Sequence, residues 1–95
     1  MHLSKSTGPR DAARRRIRVG SIVRVIGVPS LAGMSPRAKS EVGAVFEHIR
    51  GQCKRVAGVD ERGNIELSFF IRRGKLAGRH SVAIAPNLVL VQTNA

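Results

Sequence analysis

The chain has 95 residues, 42% of them hydrophobic and 24% charged, which is typical of one small globular domain. It contains seventeen Lys and Arg residues against six Asp and Glu residues, so its formal net charge is +11. No run approaches the roughly 18 apolar residues of a transmembrane helix. A single cysteine cannot form an internal disulfide, so we expect an intracellular protein, with the cytoplasm as the default location. We also expect no membrane partner.

The first eighteen residues are the most basic part of the chain. They contain one acidic residue, Asp11, and six basic residues: Lys5, Arg10, Arg14, Arg15, Arg16 and Arg18. Too few apolar residues accompany these arginines for insertion into a membrane surface. No secretory signal is present, although an Arg-rich segment with one acid leaves a mitochondrial transit peptide open. We predict a disordered Arg-rich arm over residues 1–18, which either contacts phosphates or only maintains solubility.

The next part of the chain predicts strands and loops. Residues 20–28 are rich in β-branched residues and predict a first strand. Residues 29–41 contain two Pro, one Gly and three Ser, a composition that predicts a long loop. Residues 42–49 and 53–59 predict a second and a third strand. Because no segment shows a convincing helical period, the fold class predicted from the sequence is all-β.

A hairpin follows at residues 60–63, where Asp suits the first position of a type I turn and Gly63 suits a left-handed closing position. Residues 64–71 predict the strand after it, because apolar residues recur there at every second position: Ile65, Leu67, Phe69 and Ile71. A basic loop is predicted at residues 72–79. A strand over 80–85, a single helical or 3₁₀ turn over 85–88 and a last strand over 89–91 complete the domain.

Short strands at regular spacing in about 75 residues suggest a small barrel. The chain resembles the SH3-like barrels of the KOW and translation-protein type over residues 19–92. The residues that carry the resemblance are Gly20, Val23, Val25, Val42, Gly43, Val45, Gly63, Val82, Ile84, Pro86, Leu88 and Leu90. The resemblance implies a five- to six-stranded SH3-like barrel over 19–92, followed by a C-terminal tail over 93–95. It also implies that loops and one barrel face contact a nucleic-acid backbone.

The basic loop is the most informative candidate site. Its cations are Arg72, Arg73, Lys75 and Arg79, and its two glycines allow close approach of a partner to the backbone. The predicted loop over 29–41 adds Arg37 and Lys39, and the arm adds Arg14, Arg15, Arg16 and Arg18. These residues are the predicted phosphate contacts. The alternative interpretation is a set of solvated charges that only prevent aggregation at a strand edge.

Aromatic residues are scarce: the chain has three Phe and neither Trp nor Tyr. Phe69 and Phe46 follow the apolar positions of their segments and are expected in the core. Phe70 falls on the polar face of its strand, where it is either an exposed ring or the cover of a second apolar patch. Binding of single strands depends on exposed rings that stack on bases. The scarcity therefore favours contact with the backbone of duplex DNA or structured RNA.

Other chemistry finds little support in the sequence. There is no phosphate-binding Gly-rich loop, nucleophile motif or paired carboxylate, and the lone Cys53 is expected to be a small core residue. We therefore expect no enzyme activity, no metal, no cofactor and no small-molecule substrate. The predicted function is a nucleic-acid-binding module that contacts the phosphates of DNA or RNA with little sequence preference. The alternative is an adaptor barrel that docks an acidic protein or a larger complex.

Overall fold

The structure, a computed structural model, describes residues 8–92, in which five strands and one α-helix occur. In chain order the elements are β1 (Ile22–Val25), α1 (Pro36–Ile49), β2 (Cys53–Val59), β3 (Ile65–Ile71), β4 (Gly78–Ile84), a 3₁₀ turn (Pro86–Leu88) and β5 (Val89–Val91). The strands form one antiparallel sheet in the order β4-β3-β2-β1-β5. The prediction of a mostly β fold is confirmed, and β4 and β5 are the edge strands.

Strand β3 shows why the sheet has one buried face. Its apolar residues alternate strictly with exposed ones, and Ile65 and Leu67 are fully buried. Across the ladder they pair with Ile84 and Val82 of β4, so that the apolar side chains of both strands lie on the same side. We call this buried side the inner face and the opposite side the outer face. The predicted strand over 64–71 is confirmed.

The hairpin between β2 and β3 closes as the sequence predicts. One carboxylate oxygen of Asp60, Oδ1, accepts hydrogen bonds from the backbone N–H groups of Arg62 and Asn64, both at 2.9 Å. Gly63 has a φ of +83°, in the left-handed region that glycine adopts without strain. Local side-chain chemistry is therefore enough to set this turn.

Helix α1 contradicts the predicted strand over 42–49 and the second half of the predicted loop over 29–41; residues 29–35 lie outside any helix or strand, as predicted. Ser35 caps the helix, because its hydroxyl oxygen accepts a hydrogen bond from the backbone N–H of Ala38 at 3.2 Å, and proline occupies the first turn. The apolar residues Val42, Val45, Phe46 and Ile49 recur at intervals of three and four. Three of them join the core. The β-branched residues near Gly43 are also typical of a strand, so the sequence pattern indicated a strand instead of a helix.

The N-terminal segment differs from the disordered arm that the sequence predicts over residues 1–18. Residues 8–18 follow the free edge of β5, where the backbone N–H of Ala12 donates to the carbonyl of Val89 at 3.0 Å. Ile17 is buried in the core with the inner face of the sheet. Burial of a side chain of this size stabilises the folded state by about 1.5–3 kcal/mol, which offsets part of the entropy cost of ordering the segment. Residues 1–7 and 93–95 lie outside the described residues.

The observed bounds of the remaining elements place one candidate residue in a strand instead of the predicted loop. Strand β1 is shorter than the predicted 20–28, whereas the 3₁₀ turn and β5 agree with the predictions for 85–88 and 89–91. Strand β4 begins at Gly78, so Arg79 lies in a strand rather than in the basic loop. No helix within residues 8–92 is long and apolar enough to span a membrane.

Candidate nucleic-acid interface

The outer face of the sheet carries an exposed arginine on three strands. Arg24 of β1 and Arg55 of β2 occupy alternate positions to the buried Val23 and Val56, and both are exposed. Arg79 of β4 lies on the same face, because the buried residues of β3 pair with its neighbours. The strand alternation therefore places one cation on each of β1, β2 and β4.

Few of the cations in the described residues form ion pairs with acidic side chains. Within residues 8–92 there are two ion pairs, Arg37 with Glu41 and Arg50 with Glu47, both at 3.6 Å and both on or beside α1. Along the strands of the outer face, Glu66 of β3 is the acidic residue. Arg24 is oriented by uncharged groups, since its guanidinium donates to the carbonyl of Gly51 at 3.2 Å. The outer face is therefore predominantly positive.

The arginines of the N-terminal segment lie at the β5 edge of the sheet. Arg14, Arg15, Arg16 and Arg18 are all exposed. Arg14 has a φ of +68°, which marks the turn of this segment, and Arg16 forms a β-bridge with Arg10. The guanidinium of Arg15 donates to the carbonyl of Val91 at 3.1 Å. The segment thus presents several cations from a backbone that is tied to the sheet.

The side chain of Asp11 joins the N-terminal segment to β5 by hydrogen bonds. Its carboxylate is 4% exposed and accepts the backbone N–H groups of Val91 and Arg15 at 2.7 Å each and of Ala13 at 2.9 Å. Burial by itself raises the pKa of Asp11. The three donors, together with the charge of Arg15, outweigh that effect and hold the pKa below its ordinary value of 3.8. The side chain is therefore a buried carboxylate with backbone partners.

The loop between β3 and β4 carries Arg72, Arg73 and Lys75, all exposed, at the other edge of the sheet. Leu76 is half-buried against the core, and its carbonyl lies 2.6 Å from Nε2 of His80. The ring of His80 in turn stacks on Phe69, with 5.7 Å between the ring centres. These contacts anchor the end of a loop whose cations point to solvent.

Two predicted contacts lie elsewhere. Arg37 and Lys39 belong to α1, which buries its apolar residues in the same core as the inner face of the sheet. Arg37 also forms the exposed ion pair with Glu41. The structure therefore does not bring these two residues together with the arginines of the outer face.

The aromatic predictions are resolved residue by residue. Phe46 and Phe69 are in the core as predicted, with 3% and 9% of their surfaces exposed. Phe70 is 62% exposed, unlike the other two Phe residues. Cys53, predicted to be a small core residue, is instead exposed, because it pairs with Arg24 on the outer face.

Sequence reasoning did not include Arg24 and Arg55 among the phosphate contacts. The alternation of side chains along each strand could have placed Arg24 and Arg55 on one face, but only with knowledge of the register between β1 and β2. Lys54, between Cys53 and Arg55, extends to the inner side, where its amine lies 5.0 Å from the centre of the Phe69 ring. Two neighbouring cations of β2 thus have different environments.

Comparison with protein families, with curated proteins and with solved structures found no match. Within the part of the chain from residue 8 to residue 92, no three His, Cys, Asp or Glu side chains are grouped as a metal site would require. The distribution of charge over the outer face and its two edges is therefore the evidence on which a function is argued.

Proposed function

We propose that this protein binds nucleic acid through the phosphate backbone, with little sequence preference. The observation that carries the proposal is the row of arginines across the outer face: Arg24, Arg55 and Arg79. The row runs between two further cationic groups, the N-terminal segment at the β5 edge and the β3–β4 loop at the β4 edge. A flexible polyanion that crosses the sheet would meet cations on three of the five strands and at both edges.

The chemistry of these side chains supports contact with phosphates. Guanidinium groups donate planar pairs of hydrogen bonds that match phosphate oxygens. Phosphate contacts position a protein on nucleic acid without reading its sequence, which is why we propose little sequence preference. Each phosphate that is neutralised releases condensed counterions, so the logarithm of the binding constant should fall with the logarithm of salt by about 0.9 per contact on duplex DNA.

We also propose that the sheet is an SH3-like barrel of the KOW and translation-protein type. Three observations support this assignment. Strand β1 pairs with both β2 and β5, which makes the first and last strands neighbours. Strand β2 pairs with β1 through its first half and with β3 through its second half, beside a register shift near Gly58. A 3₁₀ turn precedes the last strand.

A pair of matched double variants tests the nucleic-acid proposal. Replacing Arg55 and Arg79 by Ala removes two cations from the outer face. Replacing Arg50 and Arg62 by Ala removes the same charge from the end of α1 and the tip of the β2–β3 hairpin. Fluorescence anisotropy then measures binding of labelled duplex DNA, structured RNA, single-stranded RNA and heparin over a range of salt concentrations.

We expect the Arg55/Arg79 variant to weaken binding and to lower the salt slope by up to about 1.8 on duplex DNA. The Arg50/Arg62 variant should retain the slope of the wild-type protein. Equal effects of the two variants would contradict the proposal, because only the total charge would then matter.

A groove supports the second candidate function, docking of another protein, and the net charge of +11 would favour an acidic one. The groove has a volume of about 340 Å³ and lies between α1, the preceding loop and the edge strand β4, where it is lined by Leu31, Met34, Val42 and Val82 among others. Weak binding of all polyanions that is lost by about 150 mM salt would favour this candidate over nucleic acid.

A further inference from the structure

We propose that Phe70 is a stacking platform for an unpaired base, so that the nucleic acid crossing the outer face is single-stranded there. This inference rests on the proposed function and assigns its ligand class. The starting observation is the exposure of the ring, 62%, whereas the other two Phe residues are buried. Phe70 also lies within β3, in the paired part of the sheet, so its exposure does not result from a loop or a chain end.

Cations lie on both sides of the ring. Arg79 is directly opposite Phe70 across the β3–β4 ladder, and directly opposite residues have their Cβ atoms about 4.5–5.5 Å apart. On the other side lies β2, whose Val56 pairs with Leu67. Arg55 precedes Val56 and is on the outer face, so it lies at the level of Ser68, two residues along β3 from Phe70.

The apolar surface around the ring is small. Along β3 the neighbour on the same face is Ser68, and across the ladder Ser68 pairs with Ser81. One aromatic ring bordered by hydroxyls and guanidinium groups matches the size and chemistry of one nucleotide, with the base on the ring and its phosphates on the arginines. An apolar protein surface or a lipid phase would require a larger apolar patch.

A duplex does not offer this contact, because its bases are stacked on one another inside the helix. A single strand presents the faces of its bases, and every base has a face that can stack, so a platform of this kind is tolerant of sequence. The structure therefore favours single-stranded nucleic acid over the duplex or structured RNA that the scarcity of aromatic residues suggested.

The absence of Trp and Tyr from the chain permits a direct test. In a Phe70→Trp variant the new indole is the dominant emitter, so its emission reports on this position. Three ligands of equal length are titrated at low salt: a single-stranded oligouridylate, a duplex, and an abasic phosphodiester strand, which has the backbone without the bases. We expect the oligouridylate to quench the emission strongly, and the abasic strand to bind without quenching it.

Affinities provide the second readout. Phe70→Ala and Phe70→Leu should each weaken binding of the oligouridylate by about 5- to 150-fold, the range that loss of one stacked base produces. Binding of the duplex and of the abasic strand should change less than twofold. Ile22→Ala is the matched control, because Ile22 is another exposed apolar residue on the outer face and is 37% exposed. It should leave all three affinities unchanged.

The outcomes separate this inference from the function on which it rests. If both Phe70 variants bind the oligouridylate as the wild-type protein does, or lose affinity for all three ligands equally, Phe70 does not stack and only phosphate contact remains. Retained affinity of Phe70→Leu would show that apolar bulk, not the ring, is recognised, and would overturn stacking. If the wild-type protein binds none of the three better than heparin, the proposed function itself fails.

Discussion

Replacing Asp11 by Ala should release the N-terminal segment from the edge of β5. The substitution removes the acceptor of three backbone N–H groups, those of Ala13, Arg15 and Val91, at 2.7–2.9 Å. Hydrogen bonds to a charged group contribute about 1.5–3 kcal/mol each. Because the released segment regains water at some of these donors, we expect a total loss of about 3 kcal/mol in the free energy of unfolding. For a domain of this size that lowers Tm by about 12–24 °C.

Asn at the same position should have a smaller effect. The amide keeps one oxygen as an acceptor but places an NH₂ group where the other oxygen meets the N–H of Val91. Two donors then face each other, and one hydrogen bond is lost. The expected order of stability is wild type, then Asp11→Asn, then Asp11→Ala. Glu61→Ala, at the exposed tip of the β2–β3 hairpin, is the control and should change the free energy of unfolding by less than about 0.5 kcal/mol.

The pH dependence follows from the lowered pKa of Asp11. In the folded protein this carboxyl group binds a proton less readily than in the unfolded chain, where its pKa is near the ordinary 3.8. Its contribution to stability is therefore complete well above pH 3.8 and is lost as the pH falls through that value and then through the lower folded pKa. Asp11→Asn should lack this part of the acid dependence.

Urea unfolding followed by circular dichroism at pH 7, 5, 4 and 3 measures both effects. The difference in stability between the wild-type protein and Asp11→Asn should be constant from pH 7 to 5 and should narrow below pH 4. A free energy of unfolding for Asp11→Ala within about 0.5 kcal/mol of the wild-type value at pH 7 would refute the reasoning. It would mean that the segment does not depend on this carboxylate.

Two further predictions concern the core and the phosphate contacts. Leu67 is fully buried, so Leu67→Ala should cost about 2–5 kcal/mol in urea unfolding, and a loss below about 1 kcal/mol would contradict the register of β3. Replacing Arg14, Arg15 and Arg16 together by Ala should lower the salt slope of duplex binding by up to about 0.9 per residue. Tm should change little, because all three side chains are exposed and the exposed hydrogen bond of Arg15 to the Val91 carbonyl contributes only about 1 kcal/mol. An unchanged slope would exclude the N-terminal segment from the interface.

The predictions that agree with the structure rest on local signals. In β3 the alternation of apolar and polar residues follows from the burial of one face of the strand. The Asp60–Gly63 turn is set by the side chain of Asp60 and by the positive φ of Gly63. Pro86 likewise begins the 3₁₀ turn. In each case the residues that determine the conformation lie within a few positions of one another, so the sequence alone carried the necessary information.

Helix α1 shows where local reasoning was insufficient. Val42, Val45, Phe46 and Ile49 satisfy a helical period, but the β-branched residues are also typical of a strand, and Gly43 lowers the helical preference of the segment. The competition is decided by the core, which receives three of these side chains when the segment is helical. Intrinsic preference is weak compared with burial, so tertiary packing determined this element.

The candidate site depended still more on the tertiary structure. The sequence by itself determined the excess of positive charge and the scarcity of aromatic rings. Arg24, Arg55 and Arg79 share a face with Phe70 because of the pairing between strands, and in the β1–β2 ladder the paired residues are about thirty positions apart in the chain. A strand shifted by one residue would point every one of its side chains to the other face. Register is a property of the assembled sheet, and it therefore decided where the charge lies.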